Sequence, residues 1–376
     1  MKENILKIGS LALIFVFLYA CQNAATSPTT EQPRAPVLEQ PKSSVSQASQ
    51  IDFSGTIPLE SNTIYSIAAA DFNKDGYDDV ITGVFNGYSN VFINDKNNGF
   101  VKNPLIAVKY NTEAIAVIDF DKDGDKDVIL GNNQEPIVLL ENNGDGTFSL
   151  SKEFDKTVAS DIDVADLDND GYEDFVVVTK FKENFVYFNN KDGTFEKIKF
   201  SENLPTKAVR SADFNNDGLT DFVVGVDHRK SLVYLNEGGR KFVLSAELQG
   251  ESHTYALALL DVNDDNRVDI IEGNNKEANM LFLNTESGFE GKEMFNSGNT
   301  YSMIAADFNN EGAKEIAVGN YEQTIQIYDK AGELLKEITP PFRNFVRDLA
   351  AGDFNNDGKL DLAVGREKEM SEIYLS

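Results

Sequence analysis

The chain has one cysteine, no tryptophan and two histidines among 376 residues. A lone cysteine excludes any internal disulfide framework. His228 and His253 lie in no local motif that would orient a serine or cysteine nucleophile, so hydrolytic triad chemistry has little support. Basic residues are also few: 34 Lys and Arg face 62 Asp and Glu, for a formal charge of −28. This argues against nucleic acid as a partner, because nucleic-acid binders carry basic patches. Long apolar runs are missing too. The run 11–18 is too short to cross roughly 30 Å of hydrocarbon.

What the chain does have is repetition. An acidic phrase, cleanest as Asp119-Phe-Asp-Lys-Asp-Gly-Asp-Lys-Asp127, begins at Asp71, Asp119, Asp166, Asp213, Asp261, Asp307 and Asp353, with starts 46 to 48 residues apart. A period this regular means one supersecondary unit, copied. The seven nine-residue phrases hold 27 of the 62 acidic residues, so most of the charge imbalance says little about partners.

Oxygen-bearing side chains recur at positions 1, 3, 5 and 9 of the phrase, with Gly or Asn at position 6, where positive φ is expected. Calcium takes six to eight oxygen ligands, and alternating carboxylates on a tight loop, with the carbonyl of position 7, supply them. The expected metal ligands are therefore Asp71, Asn73, Asp75, Tyr77 and Asp79 in the first loop, and Asp119, Asp121, Asp123, Asp125 and Asp127 in the second. The third and fourth sets are Asp166, Asp168, Asp170, Tyr172, Asp174, and Asp213, Asn215, Asp217, Leu219, Asp221. The remaining three are Asp261, Asn263, Asp265, Arg267, Asp269; Asp307, Asn309, Glu311, Ala313, Glu315; and Asp353, Asn355, Asp357, Lys359, Asp361. Tyr77, Asp125, Tyr172, Leu219, Arg267, Ala313 and Lys359 enter through their carbonyls. The sixth loop is the outlier, with Glu311 and Glu315 where Asp is usual. The pattern is not an EF-hand, which needs a bidentate Glu at position 12 and flanking helices.

Each phrase precedes a mostly Val- and Ile-rich run, which reads as a buried strand, so the loop joins two strands. Four short strand signals per unit predict an all-β fold, a seven-bladed β-propeller with calcium-binding loops between the first two strands of each blade. In the second unit the strands are expected at Glu113–Ile118, Lys126–Gly131, Pro136–Glu141 and Thr147–Phe154. The segment Ile51–Leu59 resembles a fourth strand without a unit of its own, whereas the chain stops after a third strand at Ser371–Ser376. The N-terminal strand is therefore expected to close the last blade, covering an edge that would otherwise invite aggregation.

Asp213-Phe-Asn-Asn-Asp-Gly-Leu-Thr-Asp-Phe-Val-Val-Gly225 resembles the FG-GAP/VCBS repeat of many secreted bacterial proteins and is similar to the cation-binding blades of integrin α-subunits. The resemblance covers residues 51–376 and implies metal loops that are mainly structural. The Phe-Gly and Gly-Ala-Pro signatures of the integrin version are missing, so integrin-like ligand recognition is not implied.

The N-terminus, with Lys2, Lys7, the apolar run and Leu18-Tyr-Ala-Cys21, looks like a bacterial lipoprotein signal. The expected domains are a signal peptide over 1–20, a flexible tether over 21–50 that begins at lipidated Cys21, and the propeller over 51–376. This places the protein outside the cytoplasm, held by lipid on a bacterial membrane, in the periplasm or at the cell surface.

The face opposite the metal loops gathers Tyr255, Tyr301 and Tyr321 with arginines, and Arg210 falls on an innermost strand where it is expected to meet Asp163. Arg210, Arg229, Arg343, Arg347 and Arg366 are candidate ligand-binding residues, because guanidinium forks suit anions and tyrosines stack on sugar rings. The expected function is a calcium-stabilised, membrane-anchored binding or scaffold propeller for a glycan or protein ligand. The alternative is a polysaccharide-active lyase or glycosidase using channel carboxylates.

Overall fold

The computed structural model describes residues 51–376, apart from 251, 296–297, 322–323 and 341–344. The expected signal peptide, Cys21 and its tether, and Arg343 lie outside the described residues.

The fold is all-β, made of curled antiparallel sheets, and strand order follows the repeat. In the first unit the second half of β1 (Gly55–Ala70) pairs with β2 (Asp79–Val84), then β3 (Asn90–Asn94) and β4 (Phe100–Pro104). The second unit uses β5 (Thr112–Ile118), β6 (Asp127–Asn142) and the start of β7 (Phe148–Ala165). The rest of β7 opens the third, followed by β8 (Asp174–Thr179), β9 (Lys182–Asn189) and β10 (Phe195–Leu204). The fourth is β11 (Thr206–Ala212), β12 (Asp221–Arg229), β13 (Leu232–Asn236) and β14 (Phe242–Glu247). The fifth is β15 (Ser252–Leu260), β16 (Asp269–Asn274), β17 (Asn279–Thr285) and β18 (Gly288–Phe295). The sixth is β19 (Thr300–Ala306), β20 (Glu315–Asn320), β21 (Ile325–Tyr328) and β22 (Leu334–Ile338). The last contains β23 (Val346–Gly352) and β24 (Asp361–Leu375). The start of β1 lies along the end of β24, with Gly55 opposite Leu375 and Pro58 opposite Glu372.

The second strands β2, β8, β16 and β20 are buried at every residue. Such a strand has apolar neighbours on both faces, which accounts for continuous Val/Ile runs in place of an alternating pattern. The cores form between consecutive units: Phe120 and Ile129 of the second pack with Ile162 and Phe175 of the third. The aromatic at loop position 2 fills these seams, with Phe72, Phe120, Phe214, Phe308 and Phe354 all buried.

In the second unit the expected strands at Lys126–Gly131 and Pro136–Glu141 run together as β6. The corner between them is itself paired, with Asn133 opposite Val158 and Glu135 opposite Thr157 of the next unit. Gln134 turns the backbone there with φ 60°. Pairing to the following unit, which the local pattern does not reveal, is what extends the strand.

Candidate metal loops and the opposite face

Six of the seven acidic phrases cap their own amides from position 1, whereas in the second Asp121 and Asp123 accept the amides of Asp123 and Asp125. In the first, the Asp71 carboxylate accepts the backbone N–H of Asp75 (3.1 Å) and of Gly76 (2.8 Å), and Asp75 accepts that of Tyr77 (3.0 Å). The third loop repeats this with Asp166, Asp170, Gly171 and Tyr172, and the seventh with Asp353, Asp357, Gly358 and Lys359. Short carboxylates therefore wrap the loop by capping its own amides. Position 6 is left-handed throughout, at φ 84–88° for the glycines and 64° for Asn266. Position 4 is left-handed as well, in Lys74, Lys122, Asn169, Asn216, Asp264, Asn310 and Asn356, although its residue types give little warning of it.

The ninth position does more than its spacing suggests. Asp79 Oδ2 accepts the N–H of Phe72 (3.0 Å) and Oδ1 that of Asn94 (2.8 Å); Asp127, Asp174, Asp221, Asp269 and Asp361 are bonded in the same way. The carboxylate thus ties its loop to the far end of the third strand. Burial pushes these carboxyls up, to about 7 for Asp79, Asp127 and Asp174 and to about 6 for Asp221, against the opposing pull of the amides.

The Asn at that strand end forms a second, unforeseen element. Asn142 Nδ2 donates to the Phe72 carbonyl at 2.8 Å, Asn189 to Phe120, Asn236 to Leu167 and Asn284 to Phe214, each reaching back into the loop of the preceding unit. Asn94 makes the same bond to the Phe354 carbonyl at 2.7 Å, joining the first unit to the last. The signal was in the sequence as an Asn 23 residues after each of the first five starts.

The residues present fit a hard cation. Oxygens of Asp119, Asp121 and Asp127 lie within 4.8 Å of one another, as do those of Asp166, Asp168 and Asp174; two oxygens across a calcium ion are at most about 5 Å apart. Among the described residues, Asp119 Oδ1 is buried with no hydrogen-bond partner. Each carboxylate oxygen can accept twice, so the amides on the ninth-position Asp still leave room for a cation. Basic side chains carry part of the local balance: Lys74 lies 2.5 Å from Asp125 and Arg240 2.8 Å from Asp168. In the sixth loop Glu315 keeps the bond from Phe308 N–H (2.9 Å) and also accepts the Asn309 amide (2.7 Å), its extra methylene being absorbed by that contact.

At the opposite strand ends the repeat holds in backbone and diverges in side chain. In every unit the residue 14 after the loop start donates its N–H to the carbonyl eight before it, from Phe85 to Thr63 (2.9 Å) through Glu367 to Phe345 (3.0 Å). That frame presents Tyr65, Glu113, Ser160, Lys207, Tyr255, Tyr301 and Arg347, one per unit, all lining a single cavity whose floor holds Asp161, Arg210 and Asp348. Within a unit these residues meet complementary partners. Tyr65 packs on Phe85 with centroids 5.0 Å apart, Tyr301 stacks on Tyr321 at 5.0 Å, Lys207 faces Asp227 at 3.9 Å, and Arg347 pairs with Glu367. The Arg347 guanidinium lies 4.6, 5.0 and 5.2 Å from the rings of Tyr65, Tyr301 and Tyr321.

The expected arginine candidates do not act alike. Arg210 Nη1 is 2.7 Å from Asp161, not joined to Asp163 as equal offsets suggest. The Val209 N–H also bonds Asp161 (3.0 Å), so the stagger between β7 and β11 sets the residue two places earlier beside the guanidinium. Asp163, desolvated though near Arg210, is raised to about 6. Arg366 is buried at 3% exposure, held by Glu372 (3.0 Å) and the Tyr374 hydroxyl (2.9 Å), and is removed as a ligand contact. Arg229 is exposed beside Lys230 and Glu247. Among the channel groups, Asp348 accepts from Ser66 Oγ, Ser302 Oγ and the Ile67 N–H at 2.9 to 3.0 Å. Sequence reasoning missed Tyr65, Phe85 and Phe181, the last 71% exposed on this face.

Fold and loops together define a propeller-like, repeat-built protein with acidic turns suited to cations. The FG-GAP-like repeat family matches residues 71–130, 119–177, 166–224, 213–272 and 307–364, more than half of the chain, which belongs to that family. No curated protein matches the sequence. Among solved structures the chain is similar to BBS1N in complex with ARL6DN soaked with mercury, at 14% identity and TM-score 0.65, over 88% of this chain and 97% of that one. The same complex soaked with lead gives 14% identity and TM-score 0.64, over 86% and 96%. These likenesses are of fold alone.

Proposed function

We propose that residues 51–376 form a seven-bladed propeller, closed by the N-terminal strand, whose acidic loops bind calcium as structural pins and whose other face recognises a glycan or protein ligand. Support for the ring comes from the opening strands, which adjoin in chain order, with β23 beside β1, and from the Asn94 bond to the last unit. A lipid on Cys21 would tether the propeller to a bacterial membrane from outside the cytoplasm.

The observation that carries the ligand reading is the cavity mouth, where one backbone position displays five kinds of side chain across seven units, with tyrosine at three of them. The cations there have acidic partners: Arg347 with Glu367, Lys180 with Glu113 and Lys207 with Asp227. Ring stacking, worth about 0.5–1.5 kcal/mol per aromatic pair, thus suits this surface better than anion capture, and a sugar ring suits the tyrosines. A glycan array probed with the calcium-loaded protein tests this. Retention that disappears in Tyr301→Ala and Arg347→Ala supports it, and equal retention by both variants rejects it; capture of a protein partner with no glycan bound would assign the face to the other ligand class.

A further inference from the structure

The chain's two histidines, 25 positions apart, meet in space. His228 is the penultimate residue of β12 in one unit and His253 the second residue of β15 in the next; their rings lie 3.7 Å apart between centroids, inclined at 65°. Both face one carboxylate: Asp227 Oδ1 is 3.1 Å from His253 Nδ1 and 3.8 Å from His228 Nε2. From the geometry we propose that Asp227, His228 and His253 form a second kind of metal site, one for a borderline transition-metal ion such as zinc, separate from the calcium loops at the other ends of the strands.

The distances carry the argument. Zinc binds imidazole nitrogen and carboxylate oxygen at about 2.0–2.2 Å in a tetrahedron, which places neighbouring ligand atoms about 3.3–3.5 Å apart, and the two measured separations bracket that range. The donor set points the same way: neutral imidazole suits zinc, copper or nickel, whereas calcium requires oxygen. Asp227 is pre-oriented. It pairs with His253 in the strand ladder, is 8% exposed, and turns its other oxygen towards Lys207 at 3.9 Å. The turn residue after it is left-handed in several units, at Asn86, Gln134, His228, Lys276 and Lys368, but only here does that turn carry an imidazole. Glu277 fixes the approach of β15 by accepting the His253 N–H at 3.3 Å. The His228 side chain is 70% exposed, which gives the ion a way in and leaves the fourth position for water or a donor atom of a ligand on this face.

Zinc titration of the full chain in excess calcium, followed by calorimetry, tests the site. One ion per chain is expected, and cobalt substitution is expected to give the visible absorption of a four-coordinate histidine site. His228→Ala, at an exposed turn, should weaken affinity more than about 100-fold, beyond the range for loss of an outer-sphere partner, without changing the calcium-dependent melting temperature. An anomalous peak between the two rings in zinc-soaked crystals would support the same conclusion. Absence of zinc uptake by the wild-type chain, or uptake unchanged in His228→Ala and His253→Ala, overturns the proposal. Neither result would bear on calcium in the loops.

Discussion

The two ends of the same strands follow opposite rules. At the loop end, the fourth, fifth and seventh units repeat nearly the same hydrogen bonds: Asp213 on Asp217 and Gly218, Asp261 on Asp265 and Asn266, Asp353 on Asp357 and Gly358. At the other end the backbone bond repeats while the side chains run through Tyr, Glu, Ser, Lys and Arg. Sameness is what a structural pin needs, because each unit must hold the next in the same way. Variation is what recognition needs, since seven copies of one group would offer a ligand no distinguishing feature.

Removing calcium should produce the largest effect. An ion at 100 times its Kd adds about 2.7 kcal/mol per site, so EGTA is expected to lower the melting temperature by on the order of 10 °C, with recovery on calcium return. A thermal scan insensitive to chelation would erase the contrast between the two ends.

The next largest effect separates pin from ligand within one loop. Asp127→Ala strands the buried amides of Phe120 and Asn142 and should cost about 2–4 kcal/mol even in EGTA, because each orphaned donor carries a desolvation penalty. Asp121→Ala, at an exposed position, should cost only the calcium-dependent part. Paired urea melts with and without calcium distinguish the two; equal losses in EGTA would refute the double role of position 9.

Asn142→Ala removes the donor that bonds the Phe72 carbonyl of the preceding unit and should cost about 1–3 kcal/mol. Asn284→Ala should match it, and a negligible change in both would show that the seams are held by packing alone.

A smaller effect depends on pH. Asp163 is raised by burial from 3.8 to about 6, so its neutral form is the one the fold prefers. Its contribution is therefore complete below pH 3.8 and lost as pH rises through about 6. Asp163→Asn should lessen the fall in urea midpoint between pH 4 and 6, to which the buried ninth-position carboxyls also contribute, and an unaltered slope would exclude Asp163 as a contributor. Least affected in stability should be Tyr301→Ala and Tyr321→Ala, at a half-buried stack. They are expected to shift stability by about 1 kcal/mol while abolishing glycan retention on an affinity column.

The acidic loops were legible because everything they do with their own backbone lies within nine residues: the capping carboxylates, the left-handed sixth position and the strand that follows. The Asn94, Asn142, Asn189, Asn236 and Asn284 series was legible in principle, as a fixed offset, but its meaning was not, since its partner carbonyls lie about 70 residues earlier in four cases and 260 later in the fifth. Arg366 shows the limit on the other face. Its place after a strand matched a ligand contact, yet Tyr374 and Glu372 close over it, and only the return of β24 brings them there.

By itself, then, the sequence determined the repeat unit, its β content and the chemistry of its turns, all properties of local spacing and residue type. Which strand neighbours which, that Arg210 faces Asp161, and that two distant histidines share one carboxylate were decided by tertiary structure, because stagger and proximity between units arise from packing across seams that no single repeat contains.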